Sequence, residues 1–194
     1  MKKLIAVLAF AGLSLSGFAQ DATPTEKYSV STNSFWSNWF VQAGINWNAW
    51  YSNEEHGQNF ATSPFKKFRS NPGVSVAIGK WFTPGIGLRT KLQGIWGKQV
   101  YDMATGEQGK FNKYWLLNEH VLFNVSNLLY GYNENRVWNV IPFVGGGIGR
   151  TMTHNLYSMD LCAGVQSSWK VAEKLNVYLE AGWNRIEHDI DGGV

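Results

Sequence analysis

The stretch WFVQAGINWNAWY, residues Trp39 to Tyr51, decides the fold because its two alternating faces differ sharply. Every odd-numbered residue is apolar or aromatic, whereas the positions between them include Gln42, Asn46 and Asn48. Side chains of a β-strand alternate between two faces, so the stretch predicts a strand that separates two unlike media. A soluble protein would turn the apolar face inward. A membrane barrel turns that face to lipid and leaves the polar face in its lumen.

The N-terminus has the pattern of a secretory signal peptide. Lys2 and Lys3 precede an apolar run over residues 4–15, and small residues occupy the minus-three and minus-one positions of a cleavage site before Gln20. This run is too short for a membrane-spanning helix. We therefore predict a signal peptide over residues 1–19, export from the cytoplasm, and a polar periplasmic lead-in over residues 20–37.

The composition narrows the class of protein further. Without the two signal-peptide lysines, 15 basic residues face 14 acidic ones, so the charge gives no support to nucleic-acid binding. The single cysteine, Cys162, excludes an internal disulfide and a multi-cysteine metal site. Ten Trp, eight Tyr, eleven Phe and 21 Gly, with no later run of 18 apolar residues, are typical of a transmembrane β-barrel with aromatic girdles.

Six further segments repeat the alternation of the first strand. With Trp39–Tyr51 they give seven predicted strands, the others covering residues 74–82, 86–96, 114–125, 140–150, 157–169 and 175–183. Long polar connections at 52–72 and 101–112 are predicted to be external loops, and short ones at 83–85 and 171–174 periplasmic turns. Glu119 breaks the alternation, so either it faces lipid or a bulge shifts the register there. Pro142 cannot donate to the ladder, which predicts a bulge or an edge near it.

Aromatic residues cluster at the ends of these strands, as membrane-water interfaces require. We assign one predicted rim to Trp50, Tyr51, Trp96, Tyr114 and Tyr157, and the other to Trp39, Trp81, Phe82, Trp138 and Trp169.

Two segments carry a resemblance to a known family. GYNENRVWNVIPFVGGGIGR, residues 131–150, resembles the third turn-and-strand region of OmpA-type outer-membrane barrels from anaerobic Gram-negative bacteria, and LFNVSNLL, residues 122–129, is similar to the same family. The resemblance implies an eight-stranded barrel in the outer membrane, usually tethered to a peptidoglycan-binding domain. It carries over no catalytic site.

The fold that we predict is therefore all-β, an antiparallel up-and-down transmembrane barrel with eight strands expected and seven present. Bacterial single-chain barrels use even strand numbers, and residues 187–194 have the polar character of an external loop. We accordingly expect the barrel domain, residues 38–194, to be incomplete at its C-terminus. Peptidoglycan would then be a partner only through a domain absent from this sequence.

The predicted lumen collects polar and charged side chains. They are Arg89, Lys91, Gln93, Asn118, His120, Asp160, Gln166 and Glu180. Eight strands leave an interior just wide enough for side chains to fill, so we expect these groups to pair across the lumen and plug it, with an ion pair from Arg89 or Lys91 to Glu180. The alternative is a narrow water path that the same residues line.

Two rival interpretations have less support in the sequence. A lipid-modifying barrel enzyme could use His154 with Ser158 and Asp160, or His188 with Asp189, but no spacing fixes a nucleophile beside a base. A soluble lipocalin-type barrel would have to hold four tryptophans and many Val and Leu inside a small calyx. We therefore predict no enzyme activity, no cofactor and no metal.

The function that this sequence predicts is a structural, envelope-stabilising one in the outer membrane, with outer-membrane lipid as the main partner and nucleic acid excluded. The first alternative is a low-conductance, porin-like diffusion channel. Adhesion or receptor activity through the external loops is a further alternative that the sequence cannot rank.

Overall fold

The computed structural model describes residues 3–16, 35–51, 63, 71–95, 113–152 and 155–187. The elements are strands β1 (Lys3–Ser16), β2 (Trp39–Tyr51), β3 (Asn71–Trp81), β4 (Ile86–Ile95) and β5 (Tyr114–Phe123), helix α1 (Val125–Tyr130), and strands β6 (Trp138–Thr151), β7 (Tyr157–Ala172) and β8 (Leu175–Glu187). Each strand pairs antiparallel with its neighbour in the chain, and β8 pairs with β1, so the sheet is a closed barrel. The predicted all-β, up-and-down architecture is confirmed.

The seven predicted strands are confirmed as β2 to β8. Their ends shift by a few residues, most clearly in β7, which continues to Ala172, and in β8, which continues to Glu187. The long connections predicted at 52–72 and 101–112 fall almost wholly outside the described residues, as does most of the lead-in predicted at 20–37.

An eighth strand comes from the segment that the sequence identifies as a signal peptide. β1 lies antiparallel to both β2 and β8, with Ile5 opposite Tyr51 and Lys3 opposite Glu187. The physical reason is that two unpaired strand edges face each other there, and any extended segment of matching length satisfies their backbone groups. The signal peptide stays a prediction, and cleavage before Gln20 would remove β1 from the barrel.

The two faces of β2 divide as its alternation predicts. Ile45 and Trp47 are 68% and 39% exposed on the outside, whereas Asn46 and Asn48 are 3% and 0% exposed inside. Because the apolar face points outward in a closed barrel, a lipid-facing belt encloses a polar interior. A soluble calyx would have required the reverse arrangement.

The prediction of the two aromatic rims is correct in part. Tyr157, Trp138 and Trp169 lie on the outer surface at the strand ends. Trp50 and Tyr114 do not, because both are buried, with their rings 4.8 Å apart in an edge-to-face contact. Trp50 is an even-numbered residue of β2, and its side chain follows the inward face rather than the rim. The predicted interface position of these two residues is wrong.

A short helix occupies part of the connection before β6, where the sequence predicts neither a helix nor a strand. The Asn124 side chain caps α1 by accepting a hydrogen bond from the Asn127 backbone N–H at 3.1 Å. Asn127 in turn donates to the Pro84 carbonyl at 2.8 Å and accepts from Arg136 at 2.6 Å, which fastens α1 to the turn between β3 and β4. Among the described residues, no helix is long and apolar enough to span a membrane.

Candidate functional site: the polar lumen

All eight residues predicted to line the lumen lie inside the barrel. Each is buried, with at most 3% of its surface exposed. They come from four strands, β4, β5, β7 and β8, because inward positions recur at every second residue. Seven of them form two clusters, one centred on Arg89 and one on Asp160.

Arg89 on β4 reaches across the lumen to the opposite wall. Its Nη1 donates to Glu180 Oε2 on β8 at 2.7 Å, to Gln166 Oε1 on β7 at 2.7 Å, and to Gln42 Oε1 on β2 at 2.9 Å. Gln42 Nε2 also donates to Gln166 Oε1 at 3.2 Å. One guanidinium group thus ties together four strands around the barrel.

The other edge of the same guanidinium is held by His120 on β5. Arg89 Nε donates to His120 Nδ1 at 3.1 Å, and this nitrogen must be an acceptor because arginine has only donors. The Phe143 ring lies 4.9 Å from Arg89 Cζ and 4.7 Å from the His120 ring. Contacts on both sides fix the guanidinium plane, so Arg89 has little freedom to swing aside.

Glu180 joins two cations. Its Oε2 pairs with Arg89 at 2.7 Å and its Oε1 with Lys91 Nζ at 2.6 Å, and all three side chains are at most 2% exposed. The ion pair predicted across the lumen is therefore present with both candidate cations. Charges removed from water are stable only when paired and hydrogen-bonded, as this triad is.

The second cluster surrounds Asp160 on β7. Its Oδ2 accepts hydrogen bonds from Asn118 Nδ2 at 2.7 Å and from Asn184 Nδ2, whereas Oδ1 has no hydrogen-bond partner among the described residues. No cation of the described part of the chain lies within ion-pair distance of Asp160. Among the described side chains of the lumen, the carboxyl groups of Asp160 and Glu180 match the cations Arg89 and Lys91 in number.

Gln93 is the one predicted lumen residue that joins neither cluster through a hydrogen bond to another described side chain. It is buried two positions beyond Lys91 on β4, on the same inward face. Its role is to fill the interior near the end of the strand.

Several interior residues outside the predicted set also belong to the site. Gln42 binds Arg89, Asn184 binds Asp160, and Asn48 donates to the hydroxyl of Tyr114. The polar face of β2 was visible in the sequence, so Gln42 and Asn48 could have been included by extending the alternation rule to the first strand. Asn184 lies one residue past the predicted end of its strand, where the alternation continues.

A glycine in β6 makes room for the second cluster. Asn118 leans over Gly147 toward Asp160, since Gly147 is paired with both residues in the sheet. A Cβ at position 147 would collide with Asn118 Oδ1 and with the Leu117 carbonyl oxygen. Glycine is therefore required by close approach, although it ordinarily weakens a strand.

The histidine-based enzyme sites are not assembled in the described residues. His154, His188 and Asp189 lie outside them. Ser158 and Asp160 are both inside the barrel, where Asp160 is engaged by two amides. His120 holds Arg89, which gives it a structural task.

No protein-family model matches the chain. Two curated proteins of Porphyromonas gingivalis (strain ATCC BAA-308 / W83) are similar to it. Outer membrane protein 40 is 27% identical over 161 residues, which cover 77% of this chain and 39% of that protein. Outer membrane protein 41 is 25% identical over 199 residues, which cover 93% of this chain and 48% of that protein. The chain thus spans less than half the length of either relative.

Names and architecture agree on the location of the protein. Both relatives are named outer membrane proteins, and a closed barrel with an apolar outer belt and a polar interior is the β-structure that can cross a membrane. The chain is an outer-membrane β-barrel protein.

Proposed function

We propose that this protein is an OmpA-type barrel with a structural role, anchoring and stabilising the outer membrane. The observation that carries this proposal is the crossing of the lumen by Arg89, which binds Gln42, Gln166, His120 and Glu180 on strands around the barrel. A barrel that conducts ions would keep a water-filled path open through the lumen.

The small number of strands in the barrel also supports the structural role. Eight strands enclose little more than their own inward side chains, and here those side chains include Arg89, Lys91 and Tyr178, all nearly inaccessible to solvent. The bonds from Arg89 to Gln42, Gln166 and Glu180 also stiffen the wall, because each links strands that are not neighbours in the sheet. A rigid, closed barrel is suited to anchoring.

A low-conductance channel is the second candidate. The plug consists of side chains alone, so rotamer changes could open a path without moving a strand. Asn46 supports this alternative, because both its amide atoms are buried without a hydrogen-bond partner among the described residues. Such atoms would be satisfied by water entering the lumen.

Partners follow from the proposed role. Outer-membrane lipid covers the belt, and attachment to peptidoglycan would require a further domain of the kind that the OmpA resemblance implies. The greater length of both relatives is compatible with such a domain. Adhesion or receptor activity through the external loops remains an alternative, and neither catalysis nor a cofactor forms part of the proposal.

Two measurements separate the structural role from the channel. We expect cells that lack the gene to become sensitive to detergents and to shed vesicles from their outer membrane. We expect the purified barrel to give no steady single-channel currents in planar bilayers. Steady currents together with a normal envelope in the deletion strain would contradict the structural role and favour the channel. Sequencing the DNA downstream of the codon for Val194 would show whether a peptidoglycan-binding domain follows.

A further inference from the structure

One cation lies on the lipid-facing side of the barrel wall. Lys80 occupies an outward position near the end of β3, on the same face as the exposed Val76 and Ile78. Its partners across the sheet are Trp39 on β2 and Leu88 on β4, and directly paired residues point to the same side of a sheet. A charged group in such an apolar belt requires a polar or anionic partner.

The ammonium group of Lys80 is held by the turn over residues 35–38, which leads into β2. Its Nζ donates to the backbone carbonyl of Phe35 at 2.5 Å, and it lies 4.9 Å from the centroid of the Phe35 ring and 5.6 Å from that of the Trp39 ring. Trp39 Nε1 donates to the same carbonyl at 2.7 Å, which fastens the turn to the wall. A carbonyl and two aromatic rings thus hold the charge in one place.

The charge of Lys80 is not neutralised within the described part of the chain, where no carboxylate lies within ion-pair distance of its Nζ. Glu119 on β5 also faces lipid, because the pairing of its strand runs without a shift and no bulge turns it inward. It accepts a hydrogen bond from Thr90 Oγ1 at 2.5 Å instead. Since an ammonium group has three donors and the Phe35 carbonyl uses one, two donors of Lys80 are left for a ligand.

The exposed side chains around Lys80 are those of a membrane interface. Phe35 and Trp36 are 65% and 75% exposed, with their rings 5.0 Å apart in an edge-to-face contact. Phe82 and Ile86 are exposed beyond the end of β3. Aromatic side chains together with a lysine are typical of the depth at which hydrocarbon gives way to lipid headgroups. The anionic group that every phospholipid offers at this depth is its phosphate.

We propose that Lys80 and the turn over residues 35–38 form a binding site for the phosphate group of a membrane phospholipid. The Lys80 ammonium group donates to a phosphate oxygen, and the Phe35 and Trp36 rings pack against the glycerol backbone. Val41 and Ile78, the next outward pair toward the middle of the barrel, are exposed and continue the apolar surface along which the acyl chains run.

The contacts of Lys80 within the protein favour binding at this point. Because Phe35 and Trp39 already fix the ammonium group, little side-chain entropy is lost when the lipid binds. The site depends only on the outer-membrane location of the chain. It is independent of whether the barrel is structural or conducts, so its failure would leave the proposed function untouched.

The test measures how much lipid the folded full chain retains in detergent, by native mass spectrometry. The probes are dimyristoyl-phosphatidylglycerol and dimyristoylglycerol, which have the same acyl chains and differ in the phosphate-bearing headgroup. We expect the wild type to retain the phospholipid in preference to the diglyceride. Lys80→Met should weaken the binding of the phospholipid by about fivefold, the upper end for an exposed ion pair, because the charge is lost while the stem of the side chain remains.

Lys174→Gln is the matched control, because Lys174 is exposed in the turn between β7 and β8, at the same end of the barrel and outside the site. It should bind the phospholipid as the wild type does. Because methionine suits a lipid-facing strand, Lys80→Met should fold, and its heat-modifiable migration on a gel checks that it does.

Four results would overturn the proposal. They are equal retention of the two lipids by the wild type, unchanged phospholipid binding in Lys80→Met, an equal loss in Lys174→Gln, and displacement of the bound lipid by inorganic phosphate. The first two include the case in which Lys80 only fastens the turn to the wall or serves an anionic protein. The third would indicate a general attraction between charges, and the fourth a site for the free anion.

Discussion

A chain that begins at Gln20 is expected to remain aggregated in detergent, whereas the chain of residues 1–194 is expected to give a compact species whose gel migration changes on heating. The difference is the strand position between β8 and β2, which β1 fills along its whole length in the structure. Without β1 both edges are open, and each unpaired backbone group in hydrocarbon costs several kcal/mol. The effect is therefore expected to be all or none.

A substitute strand should restore folding. The closing position runs antiparallel to both neighbours, starting at the end of the barrel where β8 finishes, so a strand appended after a loop at the C-terminus would enter it in the correct direction. We expect about ten residues of alternating polar and apolar character, the length that spans a bilayer, to rescue the chain that begins at Gln20. A compact, heat-modifiable species from residues 20–194 without any addition would contradict this expectation.

Replacement of Glu180 by glutamine should destabilise the folded barrel by ~3–5 kcal/mol, the usual cost of removing one partner from a buried ion pair. Glu180→Gln leaves Arg89 and Lys91 without their common counter-ion at 2.7 and 2.6 Å. The measurement is the urea dependence of unfolding in lipid vesicles, with tryptophan fluorescence as the signal.

Two matched variants distinguish charge from shape. Glu173→Gln changes an exposed glutamate between β7 and β8 and should alter the stability by less than about 0.5 kcal/mol. Adding Lys91→Met to Glu180→Gln removes the excess cation and should recover part of the loss. If Glu180→Gln unfolds at the same urea concentration as the wild type, the triad does not contribute to stability.

The strands and most of the lumen could be predicted because both follow from one rule. Alternation with period 2 assigns a face to every residue of a strand. Once the apolar face of β2 was taken to point to lipid, the apolar faces of β4, β5, β7 and β8 were given the same direction, and their opposite faces gave the inward positions. Even the pairing of Arg89 and Lys91 with Glu180 followed, since the interior of eight strands is too narrow for buried charges to avoid one another.

Features that depend on neighbours in space were beyond the sequence. The segment of the closing strand β1 has the apolar run of a signal peptide. No local feature of the sequence distinguishes a strand that closes the barrel from a signal peptide that is cleaved. The inward position of Trp50 could have been predicted from the same alternation, because its position is even-numbered, whereas its contact with the Tyr114 ring could not. The hydrogen bond that holds α1 to the Pro84 carbonyl comes from Asn127. In the sequence, this asparagine predicts only a polar connection.

The central claim is that side chains close the lumen, and the reactivity of Cys162 tests it most directly. Cys162 is the only cysteine of the chain, and it is buried on the inner face of β7 between Asp160 and Gly164. A charged, water-soluble thiol reagent can reach it in the folded barrel only through an aqueous path. We expect no labelling of the folded barrel over hours, complete labelling in minutes after unfolding in urea, and faster labelling of folded Glu180→Gln. Labelling of the folded wild type within minutes would contradict a closed lumen.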